Sequence, residues 1–229
     1  MDKVLVIIPA FNEEDNIEDT VERVIEAVPE YDYVVVNDSS GDATLAICRS
    51  NGFRVLNLPI NLGIGGAVQT GFKYAELKGY DYAVQIDGDG QHDPKYIKTM
   101  MEAMKNSDAD MVIGSRFIEK EGFQSYAIRR WGIKYFSILI KLLTGRVITD
   151  PTSGLRLVGK GIIGKFAAEY PRDYPEPETA LSVLKDKYKV AEIPVVMHER
   201  QGGRSSISIK AGAYYMIKVT IAIFVEMLR

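Results

Sequence analysis

Cysteine, histidine and tryptophan are scarce in this 229-residue chain, which holds one Cys, two His and one Trp. The single Cys48 excludes an intramolecular disulfide, and its setting, Ala46-Ile47-Cys48, reads as a buried helical position. Two histidines and one cysteine cannot assemble a zinc centre of the usual kind. Long uncharged apolar runs are missing too: none nears the roughly 20 residues that a spanning helix needs. The first apolar run, Val4-Leu5-Val6-Ile7-Ile8, is closed by Pro9 and is too short and too weakly preceded by charge for a secretory signal, so a cytoplasmic location is expected. No segment interleaves basic and aromatic residues as a nucleic-acid surface would. Neither an internal repeat nor a low-complexity linker breaks the chain. What is there, 46% apolar and 26% charged residues, fits one globular domain, 1–229, with a full core.

The overall charge of −3 conceals an asymmetry. Residues 1–110 carry 9 Lys+Arg against 20 Asp+Glu, a net of −11, and residues 111–229 carry 19 against 11, a net of +8. An acidic half suited to a cation is joined to a basic half suited to an anion. A phosphorylated or membrane-bound partner explains the basic half better than nucleic acid does.

The first half alternates strand and helix patterns. Strands are expected at Val4–Ile8, Tyr33–Val36, Phe53–Leu58, Tyr82–Ile86 and Met111–Gly114. Helices are expected at Asn16–Val28, Asp42–Ser50, Ile64–Leu77 and Pro94–Asn106, the last with proline in its first turn. Such alternation predicts an α/β fold with a mostly parallel, Rossmann-like sheet flanked by helices. Ligands of such sheets bind beyond the carboxyl ends of the strands, and the polar motifs of this chain fall there.

The richest motif is Ile86-Asp87-Gly88-Asp89-Gly90-Gln91-His92, at the end of an apolar strand. Two carboxylates converging on a cleft repel and lose hydration unless a cation lies between them. Oxygen ligands of this kind suit Mg²⁺ or Mn²⁺. A plain Asp-Gly turn is the rival reading. After the first strand, Pro9-Ala10-Phe11-Asn12-Glu13-Glu14 offers an aromatic face to a base, or caps for the next helix. After the second, Asn37-Asp38-Ser39-Ser40-Gly41-Asp42 offers Asp38 to a base or ribose, with Ser40 or Asp42 as helix caps. A third loop, Asn61-Leu62-Gly63-Ile64-Gly65-Gly66, has the look of a phosphate cradle without Walker or dinucleotide spacing.

These motifs, in this order, resemble the family 2 glycosyltransferases, in particular the dolichyl-phosphate mannose synthase-like, or polyprenyl-phosphate glycosyltransferase, branch. The resemblance extends through Gly114-Ser115-Arg116-Phe117, Asp150-Pro151-Thr152-Ser153-Gly154-Leu155-Arg156 and Arg200-Gln201-Gly202-Gly203-Arg204-Ser205-Ser206. It implies a GT-A fold, inverting chemistry, a divalent metal, a nucleotide-sugar donor and a polyprenyl phosphate acceptor. It implies nucleotide contacts at Pro9, Ala10, Phe11, Glu13, Asp38, Gly63, Asp87 and Gly88, and metal or diphosphate contacts at Asp87, Asp89 and Gln91. Acceptor-phosphate contacts are implied at Arg116, Arg129, Arg130, Arg200, Arg204 and Ser205. Asp89, Arg116 and Glu178 are the expected catalytic set, with Glu178 on a sugar hydroxyl. Two positions depart from the family pattern: Asn37 replaces a first aspartate, and Ser206 replaces a lysine. By the same resemblance the donor half is 1–115 and the acceptor half 116–229. A UDP-sugar donor is favoured over GDP-mannose, for a product used in cell-envelope glycan or glycoprotein synthesis. Alternative activities are transfer to a saccharide hydroxyl, which needs a general base, and an inactive nucleotide-sugar-binding partner.

Two C-terminal segments bear on the acceptor. From Arg130 to Leu143, Arg130, Lys134, Ser137 and Lys141 form one narrow polar stripe on a helix that is otherwise apolar. Such a helix is buried or lies at a membrane interface. Ile207–Arg229 is apolar but interrupted by Lys210, Lys218 and Glu226; it docks on a membrane, forms a homo-oligomer contact or leads into spanning helices. Together they predict amphipathic interface helices and a peripheral place on the inner face of the cell membrane.

Overall fold

The computed structural model describes residues 2–119, 121, 127–198 and 209–228, with side chains at 127–129 and 209–213 outside the description. Seven strands form one sheet: β1 Val4–Ala10, β2 Asp32–Asn37, β3 Val55–Asn57, β4 Tyr82–Gln85, β5 Met111–Ser115, β6 Arg156–Gly159 and β7 Val190–Pro194. Their order is β3-β2-β1-β4-β6-β5-β7. All neighbours are parallel except β6, which runs antiparallel to both β4 and β5. The helices are α1 Ile17–Ala27, α2 Thr44–Ser50, α3 Gly63–Leu77, α4 Tyr96–Ser107, α5 Ala127–Thr144, α6 Lys160–Ala168, α7 Pro175–Lys185 and α8 Ile209–Leu228.

Every residue of β1 is buried, because the sheet is covered on both faces and an unbroken apolar run is what such a strand requires. Leu5 and Ile7 face a cluster with α3, α5, α6, α7 and α8, while Val4, Val6 and Ile8 face one with α1, α2 and α4. α3 lies close enough to β1 that a Cβ on Gly71 would fall 2.3 Å from Ile7, so glycine is required there by packing.

The reversal of β6 decides what reaches the cleft. Arg156 opens β6 and pairs with Gln85 at the end of β4 and with Ile113 in β5. The loop before it, Asp150–Leu155, is thereby delivered to the same edge as the carboxyl ends of β1, β4 and β5.

The expected elements of the first half are all present, with shifted ends. The strand expected over Phe53–Leu58 is only Val55–Asn57, and Pro94 stands in the turn before α4, its carbonyl accepting from Ile97 N at 3.0 Å. The helix expected over Arg130–Leu143 is buried on one side only. Ile133, Phe136 and Ile140 are core residues of α5, whereas Trp131, Ile138 and Leu142 are exposed. No helix among the described residues is long and apolar enough to cross a membrane.

Candidate active site

The Asp87–His92 loop leaves β4 pressed against the end of β1. Ile86 N donates to Ile7 O at 3.0 Å and Gly88 N to Pro9 O at 3.2 Å. A Cβ on Gly88 would sit 2.9 Å from the Pro9 carbonyl oxygen, so only glycine permits this approach. Gly90 turns the loop in the left-handed region, φ +72°, where its missing Cβ removes the strain. Thr20 Oγ1, on α1, meets Gly88 O at 3.4 Å, and Arg23 reaches Gly90 O at the same distance. The far side is held by the segment after β7: His92 bridges to Met197, His198 N donates to Gln91 O at 2.9 Å, and Gln91 Nε2 donates to His198 O at 3.2 Å.

Within this frame Asp87 is about one-third exposed at its side chain. Gly154 walls one side of it: a Cβ there would lie 2.4 Å from Asp87 Oδ2. Gln85 Nε2 lies 3.4 Å from Asp87 Oδ1, and His92 Nε2 lies 3.7 Å from Oδ2. Burial opposes ionisation of Asp87, but the closeness of His92 and Gln85 and the charge of Arg116 outweigh it, holding the carboxyl below the ordinary aspartate range. Asp89 Oδ1 accepts from Gln91 N at 3.1 Å, an Asx-type turn, so the two readings of this motif are compatible.

Behind the loop lie two buried arginines with different partners. Arg116 is bound to Asp150 through Nε–Oδ2 at 2.6 Å and Nη2–Oδ1 at 2.7 Å, and donates to Thr152 Oγ1 at 2.9 Å. Enclosed at 2% exposure, it holds the Asp150 loop against the end of β5 and offers an acceptor phosphate no open edge in this conformation. Asp150 is positioned in turn by Glu192 of β7, whose Oε1 accepts from Asp150 N at 3.0 Å and whose Oε2 accepts from Thr149 N at 2.8 Å. Arg156 donates to the carbonyls of Ser153 and Pro151 and to Thr179 Oγ1 at 2.7, 2.8 and 2.8 Å. Burial lowers its pKa, opposed by Glu176, Tyr170, Asp150 and Asp87. It therefore ties α7 to the Asp150 loop and supplies positive charge behind Asp87 without touching it. Tyr170 completes this inner layer, its hydroxyl 3.4 Å from Gln85 Oε1.

Beyond the end of β1, where a nucleotide contact is expected, Pro9 and Ala10 are buried and Phe11 stands 48% exposed. Glu13 carboxylate accepts from Asn16 Nδ2 at 2.9 Å, which makes it part of the entry to α1. The first and second loops are stitched together. Asn12 N donates to Ser40 Oγ at 3.0 Å, Gly41 N to Asn12 Oδ1 at 2.8 Å, and Glu13 N to Thr44 Oγ1 at 2.9 Å. Asp42 caps α2 by accepting from Thr44 N at 3.0 Å. Asp38 is 2% exposed, and its Oδ1 accepts from Leu62 N at 2.7 Å, fixing the third loop. Asn37, the departure from the family pattern, is bonded to Asn57 at 2.6 Å and accepts from Ser40.

The glycine loop takes a different part from the phosphate cradle it resembles. Gly65 N donates to Arg172 O at 3.1 Å, and a Cβ on Gly65 would come within 1.9 Å of Pro171 O. Its glycines let the start of α3 touch the 171–172 backbone. Gly63 has φ +77°, and its amide is bound to Asn61 Oδ1 at 3.1 Å.

Glu178, expected at a sugar hydroxyl, lines a cavity of about 210 Å³ with Lys165, Glu169, Tyr170, Ser182 and Glu226. The α7 carboxylate whose charge bears on Arg156 and Tyr170 is Glu176, one residue after Pro175 at the head of the helix. The sequence assigns no role to Glu176, Asp150, Glu192 or His92, although Asp150 and His92 stand within the motifs that carry the resemblance. Arg130 is exposed on α5. The Arg129 side chain and residues Arg200, Arg204 and Ser205 lie outside the described residues.

Among the described residues no group of three or more His, Cys, Asp and Glu side chains is placed to hold a metal by itself. Asp87 and Asp89 nonetheless fit a Mg²⁺ or Mn²⁺ ion that takes its other ligands from substrate phosphates and water, the usual habit of these ions. Gly154 lacks the Cβ that would collide with the Asp87 carboxylate, and that carboxylate favours its charged form.

Sheet order, reversed sixth strand and carboxylate loop together define an α/β protein of GT-A type. The chain belongs to glycosyl transferase family 2, whose model matches residues 5–166. It is 30% identical to an undecaprenyl-phosphate mannosyltransferase of Micrococcus luteus, over 90% of this chain and 88% of that one. It is 32% identical to a dolichol-phosphate mannosyltransferase of Pyrococcus furiosus, over 93% of this chain and 62% of the relative. In fold it is similar to glucosyl-3-phosphoglycerate synthase of Mycobacterium tuberculosis, solved with Mn²⁺, UDP and glucosyl-3-phosphoglycerate. That likeness has a TM-score of 0.72 at 17% identity, covering 99% of this chain and 80% of that one.

Proposed function

We propose that the protein is an inverting, metal-dependent transferase that moves a sugar from a nucleotide-sugar to a polyprenyl phosphate at the cytoplasmic membrane face. A UDP-sugar is the favoured donor, with GDP-mannose the alternative. The observation that carries the acceptor class is the apolar face of the two C-terminal helices. Trp131 and Leu142 of α5 are 76% and 77% exposed, and Ile217, Ile221 and Leu228 of α8 are 63%, 58% and 88% exposed. The two helices touch through Phe136 and Tyr215, whose ring centroids are 5.6 Å apart. Exposed Arg130, Lys134 and Lys141 border this surface on α5. A water-soluble sugar acceptor has no use for such a face, whereas a prenyl chain in a bilayer does.

The chemistry fits the site. A phosphate monoester has its second pKa at about 6, so the acceptor is already ionised at neutral pH and needs no protein base. Asp87 and Asp89 then act at the leaving nucleotide diphosphate, whose developing charge a bound divalent ion neutralises. Phe11 and Asp38 serve the nucleoside, and Arg116 and Arg156 keep the cleft wall in place. Arg129, Arg130, Arg200 and Arg204, with Ser205, are assigned to the acceptor phosphate, for which arginine's forked donors are suited.

The test is to incubate the protein with Mn²⁺, polyprenyl phosphate and radiolabelled UDP- and GDP-sugars. Label that passes into butanol supports the reading. Label found only in water-soluble product overturns it.

A further inference from the structure

Among the described residues, the two ring nitrogens of His92 are the only buried side-chain nitrogen or oxygen atoms without a hydrogen-bond partner. The residue is 2% exposed. Leaving a buried donor or acceptor unpaired costs about 1–3 kcal/mol, so such groups in folded proteins call for a reason. The His92 backbone is pinned by the bridge to Met197 and by the His198–Gln91 hydrogen bond.

What the ring does approach is Asp87. His92 Nε2 stands 3.7 Å from Asp87 Oδ2, too far for a hydrogen bond but short of one by less than about 1 Å. His92 is enclosed, while Asp87 is about one-third exposed at its side chain. A carboxylate that gives one oxygen to a cation is held in place by a donor on the other, and such outer partners typically change metal affinity 10–100-fold.

We propose that His92 is a positioning residue for the divalent cation, its Nε2–H donating to Asp87 Oδ2 when Asp87 ligates the ion. The inference rests on the metal-dependent reading given above. The ring then gains its partner only in the loaded site, and its unpaired state in the empty site lowers the stability of that state alone. The cost of the orphan thus becomes a preference for the metal-bound form.

Mn²⁺ uptake, followed by the loss of the free-ion EPR signal in the presence of UDP, tests this on the full chain. His92→Phe keeps the volume without the nitrogens, and His92→Gln places an amide where Nε2 was. The Phe variant should bind Mn²⁺ about 10–100-fold more weakly, and the Gln variant should recover most of that loss. Without metal, the Phe variant should melt at or above the wild-type temperature, because it removes the unpaired atoms. Equal Mn²⁺ affinity in wild type and His92→Phe overturns the role of His92 and leaves the transferase reading standing. A Gln variant as weak as the Phe variant also overturns it. Failure of the wild type itself to take up Mn²⁺ overturns the metal-dependent reading and this inference together.

Discussion

Arg116 and Asp150 form a two-pronged ion pair, at 2.6 and 2.7 Å, between side chains that are 2% and 0% exposed. They are 34 residues apart in sequence and come from different segments, the end of β5 and the loop before β6. Removing one partner strands a buried charge, which typically costs about 3–5 kcal/mol. Asp150→Ala and Arg116→Met should each lose that much in urea unfolding, and the double variant should lose clearly less than the sum. Additive losses would mean that the pair is not the unit it looks to be.

Asp89→Ala should abolish sugar transfer while the melting temperature stays close to wild type. Asp89 is partly exposed, and its Oδ1 accepts from Gln91 N, two residues on in the same loop, at 3.1 Å. Transfer and circular dichroism on the same preparation check it. Retained activity would remove the metal assignment.

Gly65→Ala should destabilise the fold by more than about 1–3 kcal/mol, the usual range for overpacking. Its Cβ would meet two backbone oxygens, Pro171 O at 1.9 Å and Arg172 O at 2.5 Å, which cannot rotate aside. Gly79→Ala makes the control: φ is +67° but nothing lies within 4 Å. Chemical denaturation of both separates strain of conformation from collision.

Glu192 gives stability a pH dependence of known sign. Burial raises its carboxyl above the ordinary 4.5, against the hydrogen bonds from Thr149 and Asp150. The native state therefore keeps its proton longer than the unfolded chain, so this group's contribution falls as pH rises from about 4.5 upward. Glu192→Gln should flatten that decline in a series of unfolding curves. An unchanged slope would remove Glu192 as its source.

Trp131→Glu combined with Leu142→Glu should release the protein from anionic lipid vesicles without lowering its melting temperature, since both side chains are more than three-quarters exposed. Vesicle co-sedimentation measures the first effect. Undiminished sedimentation would place the contact elsewhere.

Much of the frame could be read in the sequence, and the reasons are physical. β1, β2, β4 and β5 carry enough apolar residues to stand out, and the acids at Asp87 and Asp89 interrupt such a run abruptly. β6 has only four residues and begins with a buried arginine, so no local pattern betrays it; pairing with β4 and β5 makes it a strand. β7 ends in proline and was equally silent. The site shows the same division. Phe11 and the Asp87 loop announce themselves locally, whereas the grip of Asp150 on Arg116 and of Thr179 on Arg156 depends on segments far apart in the chain. The glycines of the third loop are ambiguous in sequence, since close backbone contact and phosphate binding call for the same residue.

The reversed sixth strand has a consequence for how the chain could be divided. Strand order β4-β6-β5-β7 alternates pieces from before and after residue 115, like interlaced fingers. Two fragments cut between β5 and β6 would each carry an open ladder whose matching edge is on the other fragment. Neither could close its core alone, and mixing them would be a co-folding reaction instead of a docking of finished parts. The acidic and basic stretches that look like separate regions in the one-dimensional sequence are woven into one sheet.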